Sequence, residues 1–386
     1  MAWGQVNVDE KRMQFVILAS RREQTLTQLC EQFQISRPSG YEWLRRFERG
    51  GIAAVAEKSR RPQHVARQTD PEVEQRVVEL RRERPDWGAK KLRVLLEREG
   101  VALPRITIHR ILLRHELVRT QDRHRPATQR FERGAPNELW QMDFKGPAGW
   151  NQGVGPLSVL DDHSRYAIAL AETGSTRGEA VRERLEEAFR RSGVPEGMLM
   201  DHGTPWWNMQ AATGWTWLTV WLMKQGIALH FSGYRHPQTQ GKVERFHGSL
   251  EAARRKRGAP EPGGEQSWYD GFRWEYNEER PHEALGMKTP ASVWRPSAKR
   301  YEAQPARWEY ERGAEVRRLG GAGQITLQGR RWEISQALAG EWVQVVRVAD
   351  RILVYYCRSL VRELDGPLQR STAVDRWSGP WAPEKV

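Results

Sequence analysis

The sequence predicts a multidomain protein with helical units at its N-terminus, an α/β domain in its middle and a small β-barrel at its C-terminus. Three observations support this order. Residues 9–49 and 70–114 show helical periodicity, with capping residues where the helices would begin. Residues 139–277 alternate between strand and helix patterns. Residues 324–356 contain short strand-like runs separated by turns, as in small β-barrels or curled sheets.

The composition favours a protein that binds a polyanion. The 386 residues allow two to four domains, and the net charge is +13. Residues 1–135 carry 28 Lys and Arg against 18 Asp and Glu, so most of the excess lies there. Cys30 and Cys357 are too few for a disulfide framework or a Cys-rich zinc site. Without an apolar span or signal region, we expect a cytoplasmic protein with no membrane partner.

The first domain, residues 1–53, has the pattern of a helix-turn-helix. A helix over 26–33 is followed by a short turn, and Ser36 is the N-cap of the next helix. The outward face of that second helix would read a major groove. A small helical bundle with a solvated charged face is the alternative. The candidate DNA-binding residues on that face are Arg37, Ser39, Glu42, Arg45 and Arg46.

A second helical unit, residues 70–120, follows a basic linker, residues 54–69. The linker residues Lys58, Arg60 and Arg61 are candidate phosphate contacts. Asp70 and Pro71 begin the unit as N-cap and first helical residue. Its last helix has a predicted apolar stripe made of Ile106, Ile108, Ile111 and Leu112. The pattern alone supports only a structural bundle. A second basic linker, residues 121–136, leads to the next domain.

Residues 137–300 form the predicted α/β domain. Strand candidates are 139–146, 156–161, 166–171, 197–201 and 227–231, and helix candidates are 177–191, 213–225, 238–255 and 267–277. Three early strands followed by strand–helix alternation are typical of a ribonuclease H-like mixed sheet. Such sheets gather their functional residues at one end.

Three carboxylates stand out in this domain. Asp143 and Asp201 each end an apolar, strand-like run, and Glu244 lies on the helix that follows a Pro-Gln-Thr-Gln-Gly turn. If they converge, these oxygens can hold two Mg²⁺ ions. A pair of such ions can activate both the attacking and the leaving oxygen of a phosphodiester.

The three local sequences resemble the catalytic triad of DDE transposases of the retroviral-integrase superfamily, specifically bacterial insertion-sequence transposases. Three further stretches, residues 159–166, 232–238 and 276–285, strengthen the resemblance, which covers about residues 1–295. Two positions depart from the usual pattern, since His202 and Gln240 stand where Asn is common.

The resemblance implies a DNA transposase that binds the terminal inverted repeats of an insertion sequence and catalyses metal-dependent strand cleavage and strand transfer. It implies two Mg²⁺ ions, replaceable by Mn²⁺, with Asp143 shared between them and Asp201 and Glu244 completing one each. The partners would be double-stranded DNA of the element ends and the target, and further copies of the chain in a synapsed dimer or tetramer. The site of action would be the bacterial nucleoid.

The resemblance also implies further DNA contacts. It makes the second helical unit another helix-turn-helix, with Arg110 near DNA, and Lys242 and Arg245 would clamp phosphates. His247 would touch a phosphate or order a water, or would be an ordinary helix-surface histidine. Two other functions stay open: a sequence-specific DNA-binding regulator derived from an inactive transposase, and a ribonuclease H-like nuclease.

The last predicted domain, residues 301–365, is the small β-barrel, followed by a tail over 366–386. Related transposases place a barrel here that touches DNA or a partner subunit, and a simple packing module is an equal alternative.

Overall fold

The computed structural model describes residues 8–56, 69–118, 132–146, 154–208, 214–232, 241–367 and 369–374. These residues belong to two compact units, Met1–Thr69 and Asp70–Val386.

The first unit is the predicted trio of helices: α1 (Val8–Arg21), α2 (Leu26–Gln32) and α3 (Arg37–Gly50), followed by a 3₁₀ turn over Ile52–Val55. Ser36 caps α3 as predicted, since its Oγ accepts a hydrogen bond from Ser39 N at 3.4 Å. A Cβ at Gly40 would lie 2.6 Å from Cys30 Sγ, so α3 can approach α2 this closely only because residue 40 lacks a side chain.

The second unit begins with three more helices, α4 (Pro71–Glu83), α5 (Ala89–Arg98) and α6 (Arg105–Arg114). Asp70 caps α4 as predicted, accepting from Glu72 N at 2.9 Å. Ile108, Ile111 and Leu112 are buried, whereas Ile106 is 52% exposed. The prediction for Ile106 was therefore wrong. Two residues before Ile108 correspond to about 200° of helix rotation, which turns Ile106 away from the core.

The sheet of the α/β domain has the predicted mixed topology. Its strands are β1 (Trp140–Phe144), β2 (Leu157–Asp161), β3 (Ala167–Ala171), β4 (Gly197–Met200) and β7 (Ala228–Phe231), in the order β3-β2-β1-β4-β7. β1 and β2 are antiparallel, as are β2 and β3, while β4 runs parallel to β1 and β7. A short hairpin of β5 (Trp207–Asn208) and β6 (Gly214–Trp215) was not predicted.

The helices of this domain are α7 (Gly178–Ser192), α8 (Trp217–Lys224), α9 (Gly241–Arg257) and α10 (Glu265–Trp274), which continues into a π-helical turn over Glu275–Glu279. α8 begins later than predicted because Gly214 and Trp215 belong to β6 and Thr216 forms a capping box with Thr219. Within the described ranges, every helix is too short or too polar to cross a membrane.

The C-terminal residues form a five-stranded antiparallel sheet in the order β14-β13-β12-β11-β8, beside a separate β9–β10 hairpin. Its strands are β8 (Glu315–Arg318), β9 (Gln324–Leu327), β10 (Arg330–Glu333), β11 (Trp342–Val348), β12 (Arg351–Tyr356), β13 (Ser359–Asp365) and β14 (Arg370–Ala373). In the described part of the chain β8 and β14 are unpaired edges, so the sheet is open and the predicted closed barrel is not confirmed.

The open sheet and the catalytic domain share one hydrophobic core. Buried side chains of the catalytic domain, such as Trp215 and Phe231, cluster with Val343 and Val361 of the C-terminal sheet. Trp215 Nε1 also donates a hydrogen bond to Val361 O at 3.0 Å. The C-terminal residues therefore pack as part of the α/β domain and do not form a separate domain.

Candidate active site at the ends of β1 and β4

The parallel pairing of β1 and β4 brings two of the predicted carboxylates to the same edge of the sheet. Trp140 lies opposite Met198, and Gln141 lies opposite Leu199. Continuing this register places Asp143, in β1, beside Asp201, the residue that follows β4. Asp201 Oδ1 accepts a hydrogen bond from Gly203 N at 2.9 Å, which fixes the carboxylate after the strand has ended.

Glu244 comes from the first turn of α9, a helix that packs against β1 and β2. Its charge reaches Asp143. Burial, with the negative charges of Asp201 and Glu244, raises the pKa of Asp143 to about 7, against the lowering effects of the Phe144 backbone amide and Lys145. Asp143 therefore lies within electrostatic range of both other predicted carboxylates.

The donor chemistry of this cluster suits a hard divalent cation. A half-buried carboxyl that shares its surroundings with two other carboxyls is relieved of repulsion when a cation binds. Among the described residues, however, no group of three or more His, Cys, Asp or Glu side chains is arranged to hold a metal ion. The carboxylates fit Mg²⁺ or Mn²⁺ by their chemistry, and a closed three-ligand site is not preformed in this part of the chain.

His247 lies beside Asp143 and not on the helix surface. It is 7% exposed, its Nε2 is 2.9 Å from Ser158 Oγ, and its Nδ1 is 3.8 Å from Asp143 Oδ2. Burial, with the positive charge of Lys145, lowers the pKa of His247 to about 4. The helix-surface alternative is thus wrong, and at neutral pH the imidazole is neutral.

Lys242 faces into the fold. Its Nζ lies 2.6 Å from Asp162 Oδ2 and donates to Asp162 O at 2.8 Å, and its side chain is 13% exposed. Asp162 Oδ1 accepts from Gln141 Nε2 at 2.8 Å, and Gln141 Oε1 accepts from Val243 N at 3.4 Å. These bonds tie β1, which carries Asp143, to the first turn of α9, which carries Glu244. A phosphate clamp at Lys242 would compete with this ion pair, whereas the adjacent Arg245 is exposed.

Gln141 and Asp162 were not among the site residues predicted from the sequence. Both side chains are fully buried. Asp161 does shape the turn, since its carboxylate accepts from Ser164 N at 2.8 Å and from Asn137 N at 2.7 Å. Gln141 could have been suspected from strand alternation, which puts it on the same face as Asp143.

Some of the predicted DNA-binding side chains of the first unit are exposed, and others are hydrogen-bonded within the unit. Arg37, Glu42 and Arg45 are exposed, and Ser39 is half-buried against Ser36. Arg46 instead donates to the carbonyls of the 3₁₀ turn, to Ala54 O at 2.9 Å and to Ala56 O at 2.7 Å. If Arg46 contacted a DNA groove, these hydrogen bonds would break. In this structure Arg46 therefore stabilises the 3₁₀ turn.

Four other predicted contacts stand as follows. Arg110 is exposed on α6. The linker residues Lys58, Arg60 and Arg61 lie outside the described residues.

Comparison with known protein families gives matches over the α/β domain and over the helical units that precede it. An integrase core domain matches residues 133–237 and 225–290. A helix-turn-helix domain matches residues 11–63, and a homeodomain-like domain matches residues 39–112. The α/β domain is therefore similar to an integrase core domain, and the helical units before it are similar to helix-turn-helix and homeodomain-like domains.

Two relatives come from bacterial insertion elements. A 31.7 kDa protein of insertion element IS407 from Burkholderia multivorans is 29% identical over 224 residues, which is 56% of this chain and 78% of the relative. A 39.2 kDa protein of insertion element IS476 from Xanthomonas euvesicatoria is 26% identical over 247 residues, 60% of this chain and 66% of the relative. The chain is thus similar to two proteins of bacterial insertion elements over more than half of its length.

Solved structures give a weaker likeness. A simian T-cell lymphotropic virus intasome in complex with PP2A regulatory subunit B56 gamma is 15% identical with a TM-score of 0.36, covering 72% of this chain and 91% of that one. The HTLV-2 integrase catalytic core in complex with magnesium, in a trimeric form, is 16% identical with a TM-score of 0.32, covering 42% of this chain and 97% of that one. TM-scores of this size support no inference about this chain.

Proposed function

We propose that this protein is a DNA transposase. It binds the terminal inverted repeats of an insertion sequence, cuts a DNA strand at the element end and joins the freed 3′ end to target DNA. The observation that carries the proposal is the position of Asp143 at the end of β1, where the β1–β4 register places it beside Asp201, within a segment that matches an integrase core domain and where burial and the charges of Asp201 and Glu244 raise its pKa.

Asp143, Asp201 and Glu244 would together hold two Mg²⁺ ions, with Mn²⁺ able to replace them. When bound, two such ions activate the attacking oxygen, first of water and then of the 3′-hydroxyl, and stabilise the leaving oxygen during in-line displacement. Asp143 must lose its proton before it can act as a ligand, because the proton and the cation compete for the same carboxylate oxygens. His247, held by Ser158, is neutral near pH 7 and so adds no positive charge of its own beside Asp143.

The helix-turn-helix units would recognise the DNA sequence of the element ends. α3 exposes Arg37 and Arg45, which can reach base edges in a major groove. α6 exposes Arg110 for a second DNA segment. Arg245, beside Glu244, can contact a phosphate near the scissile bond. Two element ends must meet for transposition, so the active species would be a dimer or tetramer on DNA.

The test uses isosteric variants that remove one charge each: Asp143→Asn, Asp201→Asn and Glu244→Gln. Each should abolish Mg²⁺-dependent cleavage and strand transfer of labelled element-end DNA while gel shifts show normal binding of the end. Glu261→Gln is the matched control, since Glu261 is an exposed carboxylate in the loop after α9, and it should cut like wild type.

The outcomes separate the alternatives. Full cleavage by any triad variant would remove that residue from the site, and full activity in EDTA would exclude the metal mechanism. Wild type that binds the ends tightly and never cuts them would support the regulator. Cleavage of all DNA with no preference for the ends would support the nuclease.

A further inference from the structure

The turn between α4 and α5 inserts a buried carboxylate into the catalytic domain. Arg257 Nε, at the end of α9, donates to Asp86 Oδ1 at 2.9 Å, and Arg280 Nη1 donates to Asp86 Oδ2 at 3.2 Å. The Asp86 side chain is 1% exposed. Removing one partner from such a buried pair leaves a charge without compensation, so this contact tolerates little displacement.

Further ion pairs surround Asp86. Arg84 Nη2 lies 2.7 Å from Glu279 Oε2, and Arg257 Nη1 lies 2.6 Å from Glu275 Oε2. Together they form what we name the interdomain network: Arg84, Asp86, Arg257, Glu275, Glu279 and Arg280. Its ion pairs join the second helical unit to α9, and join both of them to the segment that follows α10.

Arg280 belongs to the stretch 276–285 that the sequence singled out and that the proposed chemistry leaves unused. Its Nη2 donates to Ser249 Oγ on α9 at 3.1 Å, while its Nη1 holds Asp86. Glu244 lies on the same helix as Ser249, five residues earlier and about one and a half turns away. The stretch therefore connects the second helical unit to the helix that carries a predicted catalytic residue.

The contacts of the interdomain network restrict where the helical unit that contains α6 lies relative to α9 and to the segment after α10. Buried ionic contacts are a weak source of net stability compared with apolar packing, and their attested use is to specify one arrangement.

We propose that Asp86 is a positioning residue: through Arg257 and Arg280 it holds α6 at a fixed distance from Asp143, so that the DNA segment bound by α6 determines the nucleotide at which the strand is cut. This rests on the proposed function. One nucleotide corresponds to about 3.4 Å along a strand. A displacement of a few ångströms would thus move the cut or stop it.

The first experiment measures the geometry without DNA. Spin labels are placed on the full chain at Leu113→Cys on α6 and Glu187→Cys on α7, both exposed positions, in a background with Cys30→Ala and Cys357→Ala. Double electron–electron resonance should give a narrow distance distribution in the parent protein. Asp86→Asn should broaden it, and Asp86→Glu, which keeps the charge, should restore most of the narrow distribution. Glu97→Gln is the matched control, because Glu97 pairs with Arg93 within α5 and faces solvent.

The second experiment maps cut sites on labelled end DNA at nucleotide resolution. Asp86→Asn should bind the ends normally, lose about tenfold or more of the principal cut, and spread the remaining cuts over neighbouring nucleotides. A folded Asp86→Asn protein with a narrow distance distribution, or with cuts at the single wild-type position, overturns the proposal. Wild type that cuts no DNA overturns the proposed function and the link to cut position with it. The distance measurement then decides separately whether Asp86 fixes α6.

Discussion

Asn277 hydrogen-bonds both backbone groups of Ala167. Its Oδ1 accepts from Ala167 N at 2.8 Å and its Nδ2 donates to Ala167 O at 3.0 Å. Since β3 is the edge strand of the catalytic sheet, the side-chain amide takes the place of a neighbouring strand there. An edge strand satisfied in this way offers fewer free groups to another chain.

Replacing Asn277 should destabilise the catalytic domain more than replacing its counterpart Gln266. Gln266 bonds the other end of β3, at Glu172 N and Leu170 O, at 2.9 and 3.2 Å, but in a more exposed position. Asn277→Ala leaves buried backbone groups unpaired and should cost about 1–3 kcal/mol, whereas water can replace Gln266. Thermal unfolding of both variants measures the difference. Equal shifts in Tm would contradict the role given to burial.

Truncation of Arg45 should weaken DNA binding, whereas truncation of Arg46 should lower stability. Arg45→Ala should weaken binding of the specific end by about 1–3 kcal/mol and blur sequence preference. Arg46→Ala should lower the Tm of the first unit, because Arg46 holds Ala54 O and Ala56 O. Gel shifts with repeat and scrambled duplexes, together with melting curves, test both. If the Arg46→Ala protein is as stable as wild type but has an altered sequence preference, Arg46 contacts DNA and does not have the structural role described above.

Asp162 and Asp161 form a matched pair for testing how Glu244 is positioned. Both are fully buried and adjacent, but only Asp162 bonds Lys242 of α9. Asp162→Asn should therefore reduce cleavage per folded molecule and raise the Mg²⁺ concentration needed for half-maximal rate. Asp161→Asn should lower stability through the loss of bonds in its turn, with the Mg²⁺ requirement unchanged. Identical Mg²⁺ curves for the two variants would rule out a positioning role for Asp162.

His282 should contribute to acid sensitivity. Burial, then the charges of Arg280 and Lys91, lower the pKa of His282 to about 3. Because this folded-state pKa lies below the unfolded value near 6.5, the stability His282 contributes is complete above pH 6.5. It is lost as the pH falls toward 3, by about 1.4 kcal/mol per pH unit.

His282→Phe removes this titration and keeps an aromatic ring against Tyr276, whose ring centroid lies 4.6 Å away. The variant should unfold at lower pH than wild type and be equally stable at pH 8. Denaturant titrations at pH 4.5 and 8 measure both. A variant that loses stability equally at the two pH values would show that packing, and not protonation, is what the substitution changes.

The sequence predicted those parts of the protein that local rules govern. Ser36 and Asp70 identified helix starts because capping depends on a few adjacent residues. Asp143 and Asp201 were placed correctly at strand ends because short apolar runs delimit β1 and β4. The tasks of Arg46 and Asp86 could not be read from the chain. The two arginines that bond Asp86 lie 171 and 194 residues away in sequence, and no periodicity reports such a pairing. β13 was missed because its pattern is broken by charged residues, among them the buried Arg362.

The core shared by the catalytic domain and the C-terminal sheet bears on how such a gene can decay. A frameshift or stop codon after residue 300 would remove Val343 and Val361 and leave Trp215 and its buried neighbours facing water. The shortened product would lose its catalytic fold along with its C-terminal strands. Loss of the last quarter of the gene would thus inactivate the whole protein, and the truncated product would not be a smaller active enzyme.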